Sequence, residues 1–487
     1  MQLLNKEISN SVERPVKVLQ FGEGNFLRGF VDYMIDIANE KNVFDGSIVL
    51  TKPIEYGNLD RFHNQENQYT VVLRGIVDGE KSVTKRMITS VSGSVDAYSE
   101  YEKYSDYARL DTLRFIVSNT TEAGIVYDDT DKFELNPPKT YPGKLTKFLF
   151  ERYTYFKGDK EKGLIILPVE LIDDNGKHLK ECVLKLAELW KLDSAFVDWV
   201  KEACVFCSTL VDRIVTGFPS DEAKDLWEEM GYEDQLIVTG EPFALWVIES
   251  EKDISGEFPL DKAGLPVLFT DNQKPYKERK VRILNGAHTS FVLASFLAGN
   301  DFVLQSMEDD DVRTFMKETI FNEVIPTLSL EKEDCEAFAN AVVERFYNPY
   351  IKHALLAISL NSVSKWRARC MPSFLKYTDM NGVLPKHLTF SIASLMAFYS
   401  SVELREDSLI GHRDGEEYKI RDDKDVLEFF RDNCTKATSE FVQAFLSNEK
   451  FFGTDLSQIN GLVEKVAGYL DEIKNDGMRA ALKNNLK

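Results

Sequence analysis

The sequence is poor in the features that mark secreted and membrane-spanning proteins. Its 487 residues include only six cysteines, which are scattered and not spaced as a disulfide framework. No apolar run approaches the roughly 18 residues that a membrane span requires, and residues 1–7 contain no signal-peptide core. We therefore expect a cytoplasmic protein with reduced thiols and no membrane partner.

Positive charge and histidine are also scarce. The 59 Lys and Arg residues are outnumbered by 80 Asp and Glu, and the net charge of −21 argues against a nucleic-acid partner, which would require a basic stripe. The six histidines are too dispersed to predict a metal site, and we expect none. Cys204 and Cys207 could form a redox pair or half a metal site, but their apolar, helix-like surroundings favour two buried thiols.

What the sequence does contain is a two-part pattern. Strand-like and helix-like segments alternate through the first half, as in a doubly wound sheet. Long helical periodicities dominate from about residue 277 onward. The predicted core strands are Val16–Phe21, Ser47–Thr51, Leu113–Ser118 and Gly163–Val169, with a hairpin turn at Asp78-Gly79. The predicted helices of the second half cover residues 311–324, 333–346, 355–370, 386–401 and 437–446.

A glycine turn follows the first predicted strand. Gly22-Glu23-Gly24-Asn25 precedes an amphipathic helix over residues 26–36. A strand, a Gly-x-Gly turn and a helix N-terminus suit a dinucleotide pyrophosphate, because the backbone can approach closely and offers free N–H groups. Leu27 replaces the third glycine of the fingerprint, so the motif alone is weak. The predicted cofactor contacts in this segment are Phe21, Gly22, Gly24, Asn25, Phe26 and Arg28, where Arg28 either contacts phosphate or is a solvated helix residue.

These patterns together predict an α/β protein. We expect an N-terminal Rossmann-like doubly wound sheet domain over residues 1–275, followed by a mainly α-helical domain over residues 276–487. Ligands of such sheets bind beyond the carboxyl ends of the strands. Asn119, Thr121 and Glu122, which follow a predicted strand, therefore either contact the cofactor or cap their loop.

The end of the second predicted strand leaves the choice of cofactor open. NAD-binding sheets usually carry a carboxylate there for the ribose 2′-hydroxyl. This chain has Thr51-Lys52-Pro53 instead. Lys52 could meet the 2′-phosphate of NADP or be a surface cation, and the residues alone do not decide between NAD and NADP.

Three polar residues, Lys280, Asn285 and His288, stand in an apolar segment that predicts a buried helix. Unpartnered buried polar groups are costly, so these are either hydrogen-bonded or functional. Together they could supply a proton donor and two groups that hold a carbonyl or hydroxyl oxygen. In an α-helix Lys280 and His288 would lie roughly 80° apart around the axis and about 12 Å apart along it. The alternative is an exposed lysine beside a satisfied core asparagine and histidine.

These motifs resemble the long-chain mannitol dehydrogenase family of polyol and sugar-acid oxidoreductases. The resemblance rests on Gly-x-Gly-x-Phe-x-Arg near the start and Lys-x4-Asn-x2-His in the second half, and it covers nearly the whole chain. It implies NAD(H) as the cofactor. We therefore expect a metal-free hydride transfer in which Lys280 is the general acid or base, while Asn285 and His288 hold the reacting oxygen. Residues 19–28, 118–124, 211–214 and 361–366 most resemble the keto-uronate reductases of the family.

One departure from the family favours a sugar-acid substrate. Polyol-oxidising members resemble one another in a Cys-Asp-Asn segment whose asparagine helps to hold the reacting oxygen. Here Glu170 takes the place of the aspartate and Leu171 falls where the asparagine would be. A carboxylate bound away from water requires a cation, and Lys365 and Arg369 share one helix face. They would clamp the carboxylate or form a solvated face, and Asp212 would bind sugar hydroxyls or pair with a neighbouring arginine.

The expected partner is therefore a small sugar acid, acted on by a monomer or small homo-oligomer. The expected reaction is the reduction of tagaturonate to altronate. Fructuronate or a simple polyol such as mannitol remains an alternative substrate. An alternative of another class is a catalytically silent sugar-acid-binding protein.

Overall fold

The structure, a computed structural model, describes residues 1–121 and 123–487, so the predicted contact of Glu122 lies outside the described residues. Contacts divide these residues into two units. The first contains Met1–Arg74 and Glu80–Gln273, and the second contains Gly75–Gly79 and Lys274–Lys487. Each unit is described by itself below.

The first unit is an α/β unit, and the predicted fold class is confirmed. Strands β1 to β13 are, in chain order, Val16–Phe21, Ser47–Lys52, Tyr69–Val77, Glu80–Ile88, Val91–Asp96, Phe115–Ser118, Ile165–Pro168, Val205–Phe206, Ser208–Asp212, Val215–Gly217, Val238–Gly240, Leu245–Glu249 and Val267–Thr270. Helices α1 to α9 are Lys6–Ser9, Asn25–Leu27, Tyr33–Glu40, Asp60–Asn64, Tyr101–Asp106, Tyr141–Tyr155, Asn175–Leu189, Ser194–Ala203 and Ala223–Met230.

The main sheet of this unit is parallel. Its strand order within the described residues is β5-β2-β1-β6-β7-β8. Renumbered within the sheet alone, this is 3-2-1-4-5-6, the order of dinucleotide-binding doubly wound sheets. The order reverses between β1 and β6, where Phe21 lies beside Ser118 in register. Ligands of such sheets bind at the carboxyl ends of these two strands.

Alternating side chains of the central strands enter two cores. Val18 and Leu50 belong to the hydrophobic cluster on one face of the sheet, and Leu19 and Val49 belong to the cluster on the other. Successive side chains of a strand point to opposite faces, and a parallel sheet is covered on both. This explains why the predicted strands are continuous apolar runs.

Two smaller sheets belong mainly to the first unit, with orders β10-β11-β3-β4 and β13-β12-β9. The tip of the β3–β4 hairpin, Gly75–Gly79, is grouped with the second unit. The predicted hairpin is present between β3 and β4. Asp78 and Gly79 both adopt positive φ, at 53° and 79°, which is the conformation that a two-residue turn between antiparallel strands favours.

The second unit is mainly helical. Helices α10 to α23 are, in chain order, Lys274–Arg279, Gly286–Leu297, Val303–Glu308, Asp310–Glu318, Lys332–Phe346, Leu355–Ile358, Ser362–Arg369, Met371–Asn381, Lys386–Tyr399, Lys424–Asn433, Thr438–Leu446, Glu449–Phe452, Leu462–Asp476 and Met478–Leu486. Segments of π-helix are Arg28–Asp32 in the first unit and Lys280–Asn285 and Thr319–Val324 in the second.

The structure corrects two predictions for this half of the chain. The single helix predicted over residues 355–370 is broken into α15 and α16, and Asn361 before α16 has a left-handed φ of 55°, which asparagine tolerates better than most residues. An antiparallel sheet, which the helical periodicities did not predict, is formed by β14 to β16, Leu404–Arg405, Ser408–Arg413 and Glu416–Ile420.

Within residues 1–121 and 123–487, every helix is too short or too polar to cross a lipid bilayer.

Candidate active site

The glycine turn at the end of β1 requires its first glycine. Gly22 has a φ of +119°, and a Cβ there would lie 3.0 Å from the Asn119 carbonyl oxygen. Its N–H donates a hydrogen bond of 3.0 Å to the Thr51 carbonyl oxygen, while the Asn119 N–H donates one of 3.0 Å to the Phe21 carbonyl oxygen. The turn is therefore held against both neighbouring strands, with no room for a side chain.

A helical run follows the turn from Asn25 to Glu40 and includes the π-helical segment Arg28–Asp32. The first N–H groups of a helix have no partner from within the helix. Gly24, which precedes this run, provides no side-chain cap for them. Gly29 lies where a Cβ would be 3.2 Å from Val215 and Val238. Gly29 thus allows a close approach of this helical run to β10 and β11.

A cavity of about 390 Å³ lies at the carboxyl ends of β1, β2 and β6. It has the place that the strand order predicts for a ligand. Four of the predicted cofactor contacts, Gly22, Gly24, Asn119 and Thr121, line it. Lining residues that the motif did not predict are Glu23, Pro53, Ile54, Thr120, Ala123, Gly124, Val126, Lys139, Thr140 and Tyr141.

Arg28 is buried and is not among the residues that line this cavity. Its side chain is 7% exposed, so the solvated alternative is wrong. Its nitrogens donate to the carbonyl oxygens of Glu23 and Leu236 and to Asn25 Oδ1, over 3.1, 2.6 and 2.7 Å. Arg28 therefore stabilises the turn, and its predicted contact with phosphate remains a prediction.

Two other predicted residues also lie behind the turn. Phe21 is buried and packs against Tyr141 at a ring-centroid distance of 5.0 Å. Phe26 stacks on Phe30 at 5.1 Å and packs against the core. Both rings support the glycine turn from its buried side. Asn25 is exposed at the start of the helix.

The loop after β6 is fixed by Glu170. This buried carboxylate accepts hydrogen bonds from the Thr120 N–H, the Thr120 hydroxyl and the Ser118 hydroxyl, over 3.0, 3.0 and 3.1 Å. Burial raises its pKa. Thr121 has a φ of +72°, which is rare for a β-branched residue and marks strain of the kind found at ligand sites. Leu171 is 66% exposed.

In the second unit, Lys280 and Asn285 are the first and last residues of a π-helical segment. The Gly286 N–H donates to the Val281 carbonyl oxygen, five residues back. The α-helical angles expected for this segment are therefore wrong, because each turn of a π-helix contains more residues. The wider turn brings residues five apart, such as Lys280 and Asn285, closer to one face. Single π-helical turns occur frequently at functional sites.

His288 follows in the first turn of α11 and is enclosed by rings. Its ring centroid lies 4.3 Å from that of Phe346 and 5.3 Å from that of His353. Nε2 is buried without a hydrogen-bond partner. Burial, with further contributions from the charges of His353, Arg345, Arg369 and Lys365, lowers the pKa of His288 well below its usual value. The imidazole is therefore neutral at physiological pH.

Cations gather beside this histidine. Arg369 Nη1 donates to the Thr289 hydroxyl over 3.3 Å, and Lys365 Nζ donates to the Ile358 carbonyl oxygen over 2.9 Å. Burial lowers the pKa of both side chains, and the charge of Arg369 lowers that of Lys365 further. Both side chains are half-buried, and their role as a clamp for the carboxylate remains a prediction. We refer to Arg345, Lys365 and Arg369 as the cationic cluster.

The sequence did not point to Arg345 or His353. Arg345 lies at the end of α14, and His353 lies in the segment between α14 and α15. Both lie more than fifty positions from His288 in the chain. Local periodicity and residue spacing therefore could not predict that they lie near it. Burial lowers the pKa of His353 as well.

Asp212 lies at the end of β9 in the first unit and is 6% exposed. It is paired in register with Leu245 of β12. The neighbouring Arg213 donates to the carbonyl oxygens of Gly29, Pro242 and Phe243. A role for Asp212 in binding sugar hydroxyls remains a prediction.

Cys204 and Cys207 are buried thiols. Burial raises their pKa to about 11 and about 12, so both are protonated at neutral pH. Within the part of the chain that the structure describes, no group of three or more His, Cys, Asp and Glu side chains is arranged to hold a metal ion.

Comparison with known proteins gives a consistent assignment over both units. Residues 16–262 match the mannitol dehydrogenase Rossmann domain, and residues 272–474 match the mannitol dehydrogenase C-terminal domain. The chain is 45% identical over 490 residues to an altronate oxidoreductase of Escherichia coli O7:K1 and 44% identical to one of Shigella flexneri. Each alignment covers 99% of this chain and 99% of the relative.

Solved structures agree on the fold. The ternary complex of Pseudomonas fluorescens mannitol 2-dehydrogenase with NAD and D-mannitol has a TM-score of 0.66 at 22% identity, covering 100% of this chain and 99% of that one. A D-sorbitol dehydrogenase in substrate-free form has a TM-score of 0.78 at 21% identity, covering 99% and 100%. At these identities the likeness concerns the fold alone.

Proposed function

Because the chain belongs to the mannitol dehydrogenase family and is an NAD-dependent oxidoreductase that acts on CH–OH groups, we propose that it reduces tagaturonate to altronate. Two findings support this substrate: the full-length similarity to altronate oxidoreductases and the cationic cluster beside His288. The cationic cluster is the observation on which the proposal rests, because it consists of this chain's own side chains.

The cationic cluster suits a bound carboxylate. The chain has a net charge of −21, yet the charges of Arg345, Lys365 and Arg369 all act on the imidazole of His288. The charge of Asp422 acts on Lys365, while Arg369 Nη1 donates to the neutral hydroxyl of Thr289. Guanidinium and ammonium groups are also the strongest hydrogen-bond donors to a carboxylate. A keto-uronate has a carboxylate to offer, whereas mannitol and fructose do not.

The first unit offers a fitting site for the dinucleotide. Gly22 leaves a bare backbone at the turn, the helical run begins there without a side-chain cap, and a cavity of about 390 Å³ adjoins both, which lies within the range of small-molecule sites. We assign Gly22, Gly24, Asn25, Asn119 and Thr121 to cofactor contacts. When bound, NADH supplies the hydride for the carbonyl carbon of the substrate.

Residues of the second unit would donate the proton and bind the substrate. The Lys280 ammonium donates a proton to the substrate oxygen as the carbonyl becomes an alcohol, and the resulting amine regains a proton from solvent. In the oxidation of altronate the same amine accepts the proton. Asn285 and neutral His288 hydrogen-bond to the oxygen and stabilise the negative charge that develops on it. The cationic cluster fixes the distant carboxylate, with Asp212 assigned to sugar hydroxyls.

The test is a comparison of NADH oxidation with tagaturonate, fructuronate and fructose. We expect kcat/KM for tagaturonate to exceed that for fructose by about tenfold or more, because a hydrogen bond to a charged group is worth about 1.5–3 kcal/mol. Equal kcat/KM for fructose would overturn the role of the carboxylate. A higher kcat/KM for fructuronate would change the substrate, and an absence of NADH oxidation with all three would favour a silent binding protein.

A further inference from the structure

Lys52 lies at the end of β2, where NAD-binding sheets usually carry a carboxylate. It is 1% exposed, so it is not a surface cation. Its ammonium donates hydrogen bonds to three successive carbonyl oxygens, those of Ile54, Glu55 and Tyr56, over 2.8, 3.0 and 3.3 Å. An ammonium has three N–H donors, and the strand that contains it is followed directly by the loop that it holds.

Asp96 completes this arrangement. Its Oδ2 lies 3.2 Å from Lys52 Nζ, and the two residues are paired in register on the neighbouring parallel strands β2 and β5. Asp96 Oδ1 accepts a hydrogen bond of 2.9 Å from the Tyr98 N–H. The ammonium is thus surrounded by oxygen atoms of the protein, which leaves it no donor for a 2′-phosphate.

The loop that Lys52 holds is part of the cofactor cavity. Pro53 and Ile54 line the cavity together with Gly22, Glu23 and Gly24. The carbonyl oxygens of residues 54–56 turn inward to the ammonium, while the side chains of Ile54 and Tyr56 are 55% and 80% exposed. Three successive carbonyls cannot converge on one point without a donor there, because unpaired buried carbonyl groups are costly. The shape of this wall therefore depends on Lys52.

Glu23 lines the cavity, and burial raises its pKa, while the charges of Lys52 and Arg28 lower it and that of Asp96 raises it. Lys139 lines the cavity as well, so charges of both signs meet there. The three donors of Lys52 are taken by carbonyl oxygens, so its ammonium holds the loop backbone and is not offered to a 2′-phosphate.

We propose that Lys52 is a positioning residue that shapes the loop of residues 53–56 for NADH and is not a ligand of the 2′-phosphate of NADPH. The charge of Lys52 alone would indicate a contact with the 2′-phosphate of NADPH, whereas its ammonium holds the backbone of the loop. This inference rests on the NAD-dependent activity and is independent of which sugar acid is reduced.

The test measures the binding of NADH and NADPH by fluorescence, without any sugar substrate, in the full-length protein and in Lys52→Met. We expect the Kd for NADH to rise about tenfold or more, as for the loss of hydrogen bonds to a charged group, with no gain in affinity for NADPH. In turnover the KM for NADH should rise by the same factor while kcat changes little. Lys17→Met is the matched control, because Lys17 Nζ also donates to a backbone carbonyl, that of Phe44, over 2.9 Å, and Lys17 is not among the cavity residues.

The opposite pattern would overturn the inference. If Lys52→Met weakens NADPH and spares NADH, Lys52 is a phosphate ligand; if it lowers only the unfolding temperature, its role is structural. Asp96→Asn serves as a second variant that keeps the three carbonyl bonds. Its Kd for NADH should rise far less than that of Lys52→Met, because the loop stays held by the lysine. A rise in Asp96→Asn as large as that in Lys52→Met would also contradict the inference.

Discussion

The Arg369 guanidinium donates a hydrogen bond of 3.3 Å to the hydroxyl of Thr289, the residue that follows His288. The end of α16 and the start of α11 are close at this point: a Cβ on Gly286 would lie 3.4 Å from the Arg369 carbonyl oxygen. The Cys370 thiol also lies 3.6 Å from the Gly286 carbonyl oxygen. This packing explains how a cation of one helix comes to lie beside the imidazole of another.

Arg369→Met should weaken the binding of the keto-uronate selectively. Methionine keeps much of the length and apolar packing of arginine but cannot donate to a carboxylate. We expect KM for tagaturonate to rise about 10- to 100-fold, the size of a lost charge-assisted hydrogen bond, with unchanged binding of NADH. Arg367→Met, on the same helix but exposed, is the control. A loss of equal size in the reduction of fructose would show that Arg369 does not act on the carboxylate.

Lys280→Ala should abolish most of the turnover. Loss of a general acid typically costs about 10²- to 10⁴-fold in rate, and we expect this loss in kcat while the Kd for NADH stays the same. Steady-state kinetics and NADH fluorescence titration check the two parts separately. Lys274→Ala, an exposed lysine of α10, controls for the removal of a positive charge nearby. Unchanged kcat in Lys280→Ala would remove Lys280 from the mechanism.

The parts of the fold that depend on local patterns were predictable from the sequence. The Gly-x-Gly turn predicted a backbone without room for a side chain, and Gly22 shows this conformation. Asp78-Gly79 predicted a hairpin turn, and both residues adopt the required φ. In each case a short segment determines its own conformation through the residues it contains.

Features that depend on packing between distant segments were not predictable in this way. The π-helical turn Lys280–Asn285 has the same apolar pattern as an α-helix, so periodicity could not reveal it. Arg28 fits the helix pattern, yet its guanidinium donates a hydrogen bond to the carbonyl oxygen of Leu236, 208 positions away. His353 and Arg345 likewise come near His288 only when α14 and the segment after it pack against α11, where the rings of Phe346 and His353 contact that of His288.

Gly22→Ala should reduce the affinity for NADH more than it reduces stability. A φ of +119° strains any residue with a Cβ, and the added methyl would meet the Asn119 carbonyl oxygen at 3.0 Å. The turn must therefore shift, and strain of this kind is worth about 1–3 kcal/mol. Fluorescence titration with NADH should show a Kd about tenfold higher or more. Gly93→Ala in β5 is the control, because its Cβ would have only an ordinary contact of 3.9 Å; an equal Kd in both variants would contradict the assignment of the turn.

Asp32 should make the stability of the first unit depend on pH near neutrality. Its side chain is fully buried. Oδ2 accepts hydrogen bonds from the Tyr69 hydroxyl at 2.6 Å and from Gln20 Nε2 at 3.4 Å, while Oδ1 has no partner. Burial raises the pKa to about 7, against the lowering effects of Tyr69, Arg28 and Gln20. The folded protein therefore holds a proton that an unfolded aspartate, with a pKa of about 3.9, has already released.

The sign follows from the proton counts. Between about pH 4 and pH 7 the folded state binds more protons than the unfolded state, so the free energy of unfolding falls as pH rises, by up to about 1.4 kcal/mol per pH unit. Asp32→Asn removes this dependence. Urea midpoints of the two proteins at pH 5, 6, 7 and 8 should show that the stability of wild type relative to Asp32→Asn falls from pH 5 through pH 7 and levels off toward pH 8. Glu323, whose pKa burial also raises to about 7, is present in both proteins and cancels in the difference. A difference that stays constant from pH 5 to pH 8 would mean that Asp32 does not titrate in this range.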